Sequence, residues 1–160
     1  MKAKFKGARR VMFVCHGNIC RSPMAEAIFT SKLRSRGALG SFTVASSATS
    51  TEEIIHGVGN PIYPPAAREL LKNGITPPHR RAVQLRREDY DKYDLFLAMD
   101  DKNIRGILQI FDSDPEGKVM KLMELVGGGS VRDPWYTGRF DESYRDISRA
   151  TDALLAAVLE

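Results

Sequence analysis

Apolar residues along the chain fall into short runs and into longer segments with helical spacing. Val11 to Val14 and Leu95 to Met99 are short and almost wholly apolar, which is typical of strands buried on both faces. Ser41 to Ala48 and Val119 to Met123 are weaker candidates of similar length. The pattern therefore predicts four short strands.

Segments with helical spacing follow the predicted strands Val11 to Val14 and Leu95 to Met99, and a further such segment ends the chain. Apolar residues recur three or four positions apart from Ser22 to about Arg36 and from Asp101 to Phe111, as on the buried face of a helix. Ser22 and Asp100 stand where helix N-caps are expected, and Pro23 suits a first helical turn. The face of the predicted C-terminal helix comprises Ile147, Thr151, Leu154, Leu155, Val158 and Leu159.

Two long segments show neither pattern. Residues 47–65 are rich in Ser, Thr, Gly and Pro, and we expect them to be irregular. Gly127 to Gly129 begin a second loop that runs to Gly138 and contains Asp133-Pro134-Trp135-Tyr136. Loops of this length in a compact domain are often functional.

The turn between the first strand and the first helix carries the candidate chemistry. Backbone N–H groups ahead of a helix N-terminus form an anion site, and Arg21 adds a planar fork that matches phosphate oxygens. The same positive field favours the thiolate form of Cys15. A nucleophile and an oxyanion site therefore coincide, which indicates phosphoryl transfer to sulfur.

The stretch CHGNICRSPMAEAIF, residues 15–29, resembles the phosphate-binding loop and first helix of the low-molecular-weight protein tyrosine phosphatases. The resemblance extends along nearly the whole chain. It implies that Cys15 is the nucleophile, that Arg21 binds the phosphate, and that Asp133 is the general acid. The other loop residues, which bind phosphate or support the loop, are His16, Gly17, Asn18, Ile19 and Cys20. His16 stands where the family usually has Leu, so it faces either the pocket mouth or solvent.

The resemblance further implies a set of residues that support this loop. In the family, an Asn holds the loop in its strained shape with help from a Ser and a His, and the Ser after the Arg donates to the thiolate. The matching positions here are Asn18, Ser46, His79 and Ser22, and a solvated surface histidine is the competing interpretation of His79. Cys20 is either loop filler or, as the resemblance implies, a partner that traps oxidised Cys15 as a disulfide.

The substrate cleft departs from the family pattern. Where family members carry an aromatic wall residue, the best-aligned position here is Glu52, and about four extra residues follow near Ile55 to Val58. Either Glu52 lines the cleft or it faces water while a neighbour lines the cleft. We expect Trp135 and Tyr136 to flank the substrate ring.

Four alternative functions use the same residues differently. Arsenate reductases of this fold need a further downstream cysteine, and the chain has two cysteines in all. Protein-arginine phosphatases tend to carry Thr where Ile19 stands. A phosphopeptide-binding module requires neither Cys15 nor Asp133, and a dithiol oxidoreductase is expected to show Cys-x-x-Cys spacing.

Composition sets the remaining expectations. With 160 residues and 42% hydrophobic residues, the chain suits one domain. The formal charge of +4 suits an anionic substrate, nucleic acid or simple solubility, so charge alone does not decide between them. We expect residues 1–9 to be a frayed basic tail. The apolar run after it is too short for a signal peptide, so we expect a cytoplasmic protein with no membrane insertion.

The predicted fold is α/β, a single-domain twisted four-stranded parallel sheet with helices on both faces and a phosphate-binding loop after the first strand. Such sheets bind ligands at the carboxyl ends of their strands. We expect a phosphotyrosine-containing protein or peptide as the partner, no nucleic acid, no cofactor and no metal.

Overall fold

A computed structural model of the chain describes residues 5–159. In chain order the strands are β1 (Arg10–Cys15), β2 (Thr43–Ala48), β3 (Ile54–Ile55), β4 (Val58–Gly59), β5 (Leu95–Ala98) and β6 (Val119–Lys121). Four parallel strands form the main sheet in the order β2-β1-β5-β6, and β3 pairs with β4 in a separate hairpin. The predicted fold class is confirmed.

Helices cover both faces of the sheet. They are α1 (Arg21–Ser35), α2 (Pro64–Lys72), α3 (Asp101–Phe111), α4 (Pro134–Thr137) and α5 (Phe140–Leu159), with 3₁₀ turns at Leu39–Ser41, Arg87–Asp91 and Leu122–Val126. No helix within residues 5–159 combines the length and apolar character that crossing a bilayer requires.

Side-chain alternation along β1 divides the core in two. Val11, Phe13 and Cys15 belong to the cluster that contains residues of α1 and α5. Met12 and Val14 point to the opposite face, where they pack in a cluster with residues of α3. Because successive side chains of a strand alternate between faces, a strand buried on both sides is apolar along its buried length, as β1 is from Val11 to Cys15.

Strand register brings three strand ends to one edge of the sheet. Cys15 lies beside Ala48 of β2, and Val14 lies beside Ala98 of β5. The residues that follow β1 and β5, together with the end of β2, therefore meet at the carboxyl edge. This edge is where the candidate site lies.

The hairpin of β3 and β4 corrects the expectation that residues 47–65 are irregular. Its turn residues His56 and Gly57 have φ of 50° and 79°, and two consecutive left-handed residues are typical of a tight hairpin turn. Ile55 pairs with Val58 at the tip, so the four extra residues noted in the sequence extend this hairpin. Both side chains are exposed.

The N-terminal segment is another correction. Phe5 is 1% exposed and packs in the core cluster of α1 and α5, while the Arg9 guanidinium donates to Val158 O at 3.0 Å and lies 4.9 Å from the Phe42 ring centroid. The predicted frayed tail is therefore wrong for residues 5–9, because one buried aromatic and one arginine anchor them. Residues 1–4 lie outside the described part of the chain.

Candidate active site

The loop between β1 and α1 wraps around the sulfur of Cys15. Cys15 is 3% exposed, and its Sγ accepts a hydrogen bond from Asn18 N at 3.3 Å. Ser22 Oγ lies 3.0 Å from the same sulfur. The sulfur thus lies within a turn whose Asn18 amide faces it.

Ser22 does not cap α1, which corrects the sequence prediction. The helix begins one residue earlier, at Arg21, after Cys20, and no side chain caps it. Ser22 is fully buried, and its hydroxyl contacts Cys15 and Asn18 instead. Pro23 lies in the first turn, as predicted.

Asn18 holds the loop in shape from behind. Its φ of 60° is left-handed, a conformation that Asn tolerates better than most residues. Its side-chain Nδ2 donates to Ser22 Oγ at 2.7 Å and to Ser46 Oγ at 3.0 Å. The structure therefore brings Asn18, Ser22 and Ser46 together, as the resemblance implied.

Arg80 occupies the place predicted for His79. Arg80 Nη2 donates to Asn18 Oδ1 at 2.7 Å and Nη1 donates to Asn18 O at 3.2 Å, whereas His79 is exposed. The side chains of adjacent residues in an extended segment point in opposite directions, so an alignment shifted by one residue selects the wrong one. Burial lowers the pKa of Arg80, although neighbouring Glu26 opposes that shift.

Arg21 is buried, and the carboxylate of Asp100 holds it. The sequence predicted only a helix-capping role for Asp100. Arg21 Nη1 donates to Asp100 Oδ2 at 2.6 Å and to Val131 O at 2.9 Å. The other carboxylate oxygen of Asp100 accepts from Asn103 N and caps α3, as predicted. Burial alone would lower the pKa of Arg21, but the charges of Cys15, Asp100 and Asp133 outweigh it and raise the pKa.

Asp133 lines the same pocket as Cys15, from the loop before α4. One carboxylate oxygen lies 3.5 Å from Arg21 Nη2, and the other accepts from Trp135 N at 3.1 Å. The second contact caps the short helix α4. Asp133 is thereby fixed at the pocket wall, close to the group that the sequence predicts will bind phosphate.

The pocket itself has a volume of about 160 Å³. It is lined by loop residues 15–17 and 19–21, the acidic pair Glu52 and Glu53, and Asp133, Trp135 and Tyr136. Glu52 therefore lines the cleft together with its neighbour Glu53. His16 Nε2 lies 3.0 Å from Glu52 Oε2, and this contact positions the Glu52 carboxylate at the mouth.

Two aromatic side chains form the outer rim. Trp135 is 56% exposed and Tyr136 is 84% exposed. The Trp135 ring packs against Tyr63, with centroids 5.0 Å apart, and Tyr63 N donates to Ile19 O. Tyr63 thus connects the rim to the loop.

Cys20 lines the same pocket but is a buried thiol. Burial, reinforced by the nearby charge of Cys15, raises the pKa of Cys20 well above its usual range. Cys20 is therefore protonated at neutral pH. Its role as a redox partner of Cys15 stays a prediction.

Several contributing residues were missed from the sequence. Asp100 directly follows a buried strand at the carboxyl edge, and Glu26 lies one helical turn after Ser22, so strand-end and helix-face reasoning could have found both. Arg80, Glu53 and Tyr63 lie in irregular segments, where spacing carries no such signal.

The arrangement is suited to one kind of chemistry. A sulfur that accepts a backbone N–H hydrogen bond, a guanidinium and a carboxyl group line one pocket, as phosphoryl transfer to sulfur requires. Within residues 5–159, no cluster of three or more His, Cys, Asp or Glu side chains is arranged to hold a metal ion. The fold and site define a cysteine-dependent phosphatase.

Comparisons with known proteins give the family. A sequence model of the low molecular weight phosphotyrosine protein phosphatases matches residues 10–160. The low molecular weight protein-tyrosine-phosphatase YfkJ of Bacillus subtilis is 34% identical over 151 residues, covering 92% of this chain and 94% of YfkJ. The chain belongs to the low molecular weight phosphotyrosine protein phosphatase family.

Solved structures agree with this assignment. The crystal structure of YfkJ superposes with a TM-score of 0.86 at 33% identity, over 93% of both chains. The arginine phosphatase YwlE, solved with a phosphorylated active-site serine, superposes with a TM-score of 0.73 at 30% identity, over 91% of this chain and 90% of YwlE.

The contact between Arg21 and Asp100 generates the first prediction. Asp100→Asn keeps one oxygen to cap α3 but replaces the oxygen that faces Arg21 by an amide donor. We expect kcat/KM on an aryl phosphate to fall roughly 10- to 100-fold, as for loss of a hydrogen bond to a charged group. Steady-state kinetics would measure this fall, with thermal melting to confirm folding.

Asp101→Asn is the matched control for this prediction. Asp101 is the next residue, its side chain is 71% exposed, and its partner is Lys121, whose side chain is 16% exposed. Its removal is expected to change kcat/KM by less than about twofold, since exposed ion pairs contribute little. Equal kinetics for the two variants would show that Asp100 does not position Arg21.

Proposed function

We propose that this protein hydrolyses phosphotyrosine in proteins or peptides through a cysteinyl-phosphate intermediate. The observation that carries the proposal is the convergence of Cys15, Arg21 and Asp133 on one pocket. The family assignment supports it independently. Both cysteines are free thiols, and the cytosol keeps thiols reduced, which supports a cytoplasmic location; finding the protein mainly in a secreted fraction would contradict that location.

The first step of the proposed reaction transfers the phosphoryl group to sulfur. Cys15 attacks phosphorus, the phosphorus–sulfur bond forms, and the bond between phosphorus and the tyrosine oxygen breaks. Asp133 gives its proton to that departing oxygen. Arg21 and the loop amides bind the three equatorial oxygens as charge spreads over them.

The second step returns the enzyme to its starting state. Asp133, now a carboxylate, takes a proton from a water molecule that attacks phosphorus. The phosphorus–sulfur bond breaks, inorganic phosphate leaves, and the Cys15 thiolate is restored. The two steps sum to hydrolysis of one phosphate ester by one water, with no other reactant.

Two features favour an aryl phosphate over phosphoarginine. Ile19 is apolar and 8% exposed at the pocket, where arginine phosphatases tend to carry Thr. Trp135 and Tyr136 offer flat apolar surfaces at the rim to a phenyl ring. The similarity to an arginine phosphatase structure nevertheless makes phosphoarginine the second candidate.

A peptide panel tests the proposed function. Peptides of one sequence carrying phosphotyrosine, phosphoserine or phosphoarginine would be incubated with the protein in excess chelator, and phosphate release would be measured. We expect rapid release from phosphotyrosine only. Release mainly from phosphoarginine would favour the second candidate function, hydrolysis of phosphoarginine. No release from any peptide would contradict the phosphatase proposal.

Removal of the proposed acid gives a prediction about leaving groups. Asp133→Ala is expected to slow esters of poorly acidic phenols by roughly 10²- to 10⁴-fold, because their oxygens need a proton as they leave. Esters of acidic nitrophenols should lose much less activity. The measurement is kcat/KM across a series of aryl phosphates, and equal losses along the series would remove Asp133 from this role.

The acidic rim supports a preference among phosphotyrosine sequences. Glu52 and Glu53 line the mouth where the residues flanking a bound phosphotyrosine would pass, and the side chain of Glu52 is 68% exposed. Like charges juxtaposed across an interface disfavour binding. We propose that the protein prefers Lys or Arg, and rejects Asp or Glu, beside the phosphotyrosine.

Glu52→Tyr tests this preference. The variant removes the charge and adds a ring worth roughly 0.5–1.5 kcal/mol of stacking on a phenyl group. We expect kcat/KM on acidic peptides to rise towards that on basic peptides in the variant. In the parent protein, we expect the difference in kcat/KM between the two peptide classes to shrink as the salt concentration rises. The control is Glu88→Tyr, at an exposed position outside the lining of this pocket. An unchanged preference for basic over acidic peptides in Glu52→Tyr would refute the proposal.

A further inference from the structure

Exposed apolar side chains are concentrated around the mouth of the active-site pocket. Trp135 and Tyr136 line the pocket itself, and Ile55 and Val58 lie on the β3–β4 hairpin, which begins directly after Glu53 of the pocket wall. Ile55 is 54% exposed and Val58 is 55% exposed. Single exposed apolar residues are ordinary on a protein surface, but a group of them beside a cleft indicates a binding surface. The other large apolar side chains that the described residues expose lie on three separate segments: Leu71, Val83 and Leu108.

The two faces of the hairpin have different surroundings. Ile54 packs with Ile19 and Cys20 of the loop between β1 and α1, and successive side chains of a strand alternate between faces. Ile55 therefore points away from that loop. Val58 is its cross-strand partner, and directly opposed residues of an antiparallel pair lie side by side on one face. Ile55 and Val58 thus form one continuous apolar surface, which we call the hairpin tip.

The base of the hairpin is fixed against the rest of the protein. Asn60 N donates to Glu53 O at 2.8 Å, and Asn60 O accepts from Ala82 N at 2.8 Å. Arg81 Nη1 donates to Gly59 O at 3.0 Å, and the Gly59 backbone lies so close to Ala82 O that a side-chain carbon has no room there. The hairpin tip therefore keeps a constant position relative to the pocket.

The length of the strand determines which part of a substrate reaches the hairpin tip. A strand advances about 3.3 Å per residue, so Ile55 lies roughly 7 Å along the chain from Glu53 at the pocket wall. A phosphotyrosine-containing segment bound in extended form advances by the same amount per residue. A residue two or three positions from the phosphotyrosine therefore reaches the hairpin tip, whereas a small aryl phosphate does not.

We propose that the hairpin tip is a docking surface for the substrate, which takes one aliphatic or aromatic residue two or three positions from the phosphotyrosine. The occupant follows from continuity, because the hairpin extends the wall of the pocket in which the phosphotyrosine is proposed to bind. The proposal rests on the proposed phosphatase function and adds a second determinant of substrate choice. Glu52 and Glu53 act on charge directly beside the phosphotyrosine, and the hairpin tip acts on apolar surface farther along the peptide.

The test uses pairs of phosphotyrosine peptides that differ only by Leu or Asn at one position. The position is two or three residues before or after the phosphotyrosine, and Lys stands directly beside the phosphotyrosine in every peptide, so that the acidic rim contributes equally. Leu and Asn have similar branching, so each pair isolates apolar character. Steady-state kcat and KM are measured for every peptide and for p-nitrophenyl phosphate.

The parent is compared with the double variant Ile55→Thr/Val58→Thr. Threonine keeps the β-branched shape that suits a strand and replaces apolar surface by a hydroxyl. The matched control is Leu71→Gln, on α2, because Leu71 is 58% exposed and lies outside the pocket lining.

For the parent we expect kcat/KM to be roughly 3- to 10-fold higher for the Leu peptide than for the Asn peptide, as partial burial of an aliphatic side chain supplies. The gain should lie in KM, because the contact is equal in the ground state and the transition state. In the double variant the ratio should fall below about twofold, while kcat/KM on p-nitrophenyl phosphate stays within about twofold of the parent. Leu71→Gln should keep the parent ratio.

Salt separates the two determinants of substrate choice. Apolar contact is not screened by ions, whereas interactions between exposed charges are. The Leu-to-Asn ratio of the parent should therefore persist at a salt concentration that reduces the preference for basic over acidic peptides. A Leu-to-Asn ratio that disappears with salt would contradict an apolar docking surface.

Two further results would overturn the proposal: equal kcat/KM for Leu and Asn at every tested position in the parent, or a Leu preference that survives in the double variant. Equal values combined with a parent dimer that the double variant dissolves, measured by sedimentation, would assign the hairpin tip to a second copy of the chain. If the double variant does not fold, Ile55→Thr alone decides by the same ratio.

Failure of the proposed function is distinguishable from failure of this proposal. A parent that hydrolyses neither p-nitrophenyl phosphate nor any peptide would refute the phosphatase function. Fluorescence anisotropy with phosphonate analogues of the same peptides would still give the Leu-to-Asn ratio of Kd. A ratio near one in the parent would then overturn the docking surface, and a Leu preference that the double variant abolishes would support it.

Discussion

The left-handed turn at Asn18 is the constraint on which the whole site depends. A non-glycine residue in this conformation costs roughly 1–2 kcal/mol, and less for Asn. Four side-chain hydrogen bonds hold it, each worth about 1 kcal/mol or, from Arg80, about 1.5–3 kcal/mol. The contacts therefore outweigh the strain, and the loop keeps the shape that turns the Asn18 amide toward the Cys15 sulfur.

The sheet supplies the partners that make this turn possible. β1 carries Cys15 to the carboxyl edge, and its parallel neighbours bring Ser46 from β2 and Asp100 from the end of β5 to the same edge. Asp100 then holds Arg21 in a position that is almost closed to solvent. Nucleophile, cation and supporting hydroxyls thus come from segments far apart in sequence, and strand register sets their mutual distances.

The sequence predicted the elements with strong periodicity and the loop with its specific motif. β1, β5 and α3 agree with the predictions to within a residue or two, because apolar runs and helical spacing report burial directly. The β3–β4 hairpin was missed because two-residue strands are too short to show alternation. The anchoring of Phe5 was missed because one aromatic in a basic segment carries no pattern.

The site residues also divide into those that a sequence motif reveals and those that only the tertiary structure reveals. Cys15, Arg21 and Asp133 were found from motif and resemblance, and the structure brings all three to one pocket. His79 was selected instead of Arg80 because residues 77–81 are an extended segment without register in the sequence. Ser22 was assigned to capping because its residue type suits an N-cap, whereas its burial beside Cys15 is a tertiary effect that local preference does not report.

The central claim is that the loop is built to bind a phosphate dianion over a sulfur that acts as the nucleophile. Cys15→Ser tests both parts, with phosphate binding measured by calorimetry and aryl phosphate hydrolysis measured in parallel. We expect the variant to bind inorganic phosphate still and to have no detectable turnover, since a serine hydroxyl is a far weaker nucleophile at neutral pH. Substantial turnover by Cys15→Ser would contradict the covalent mechanism, and loss of phosphate binding would contradict the preformed loop.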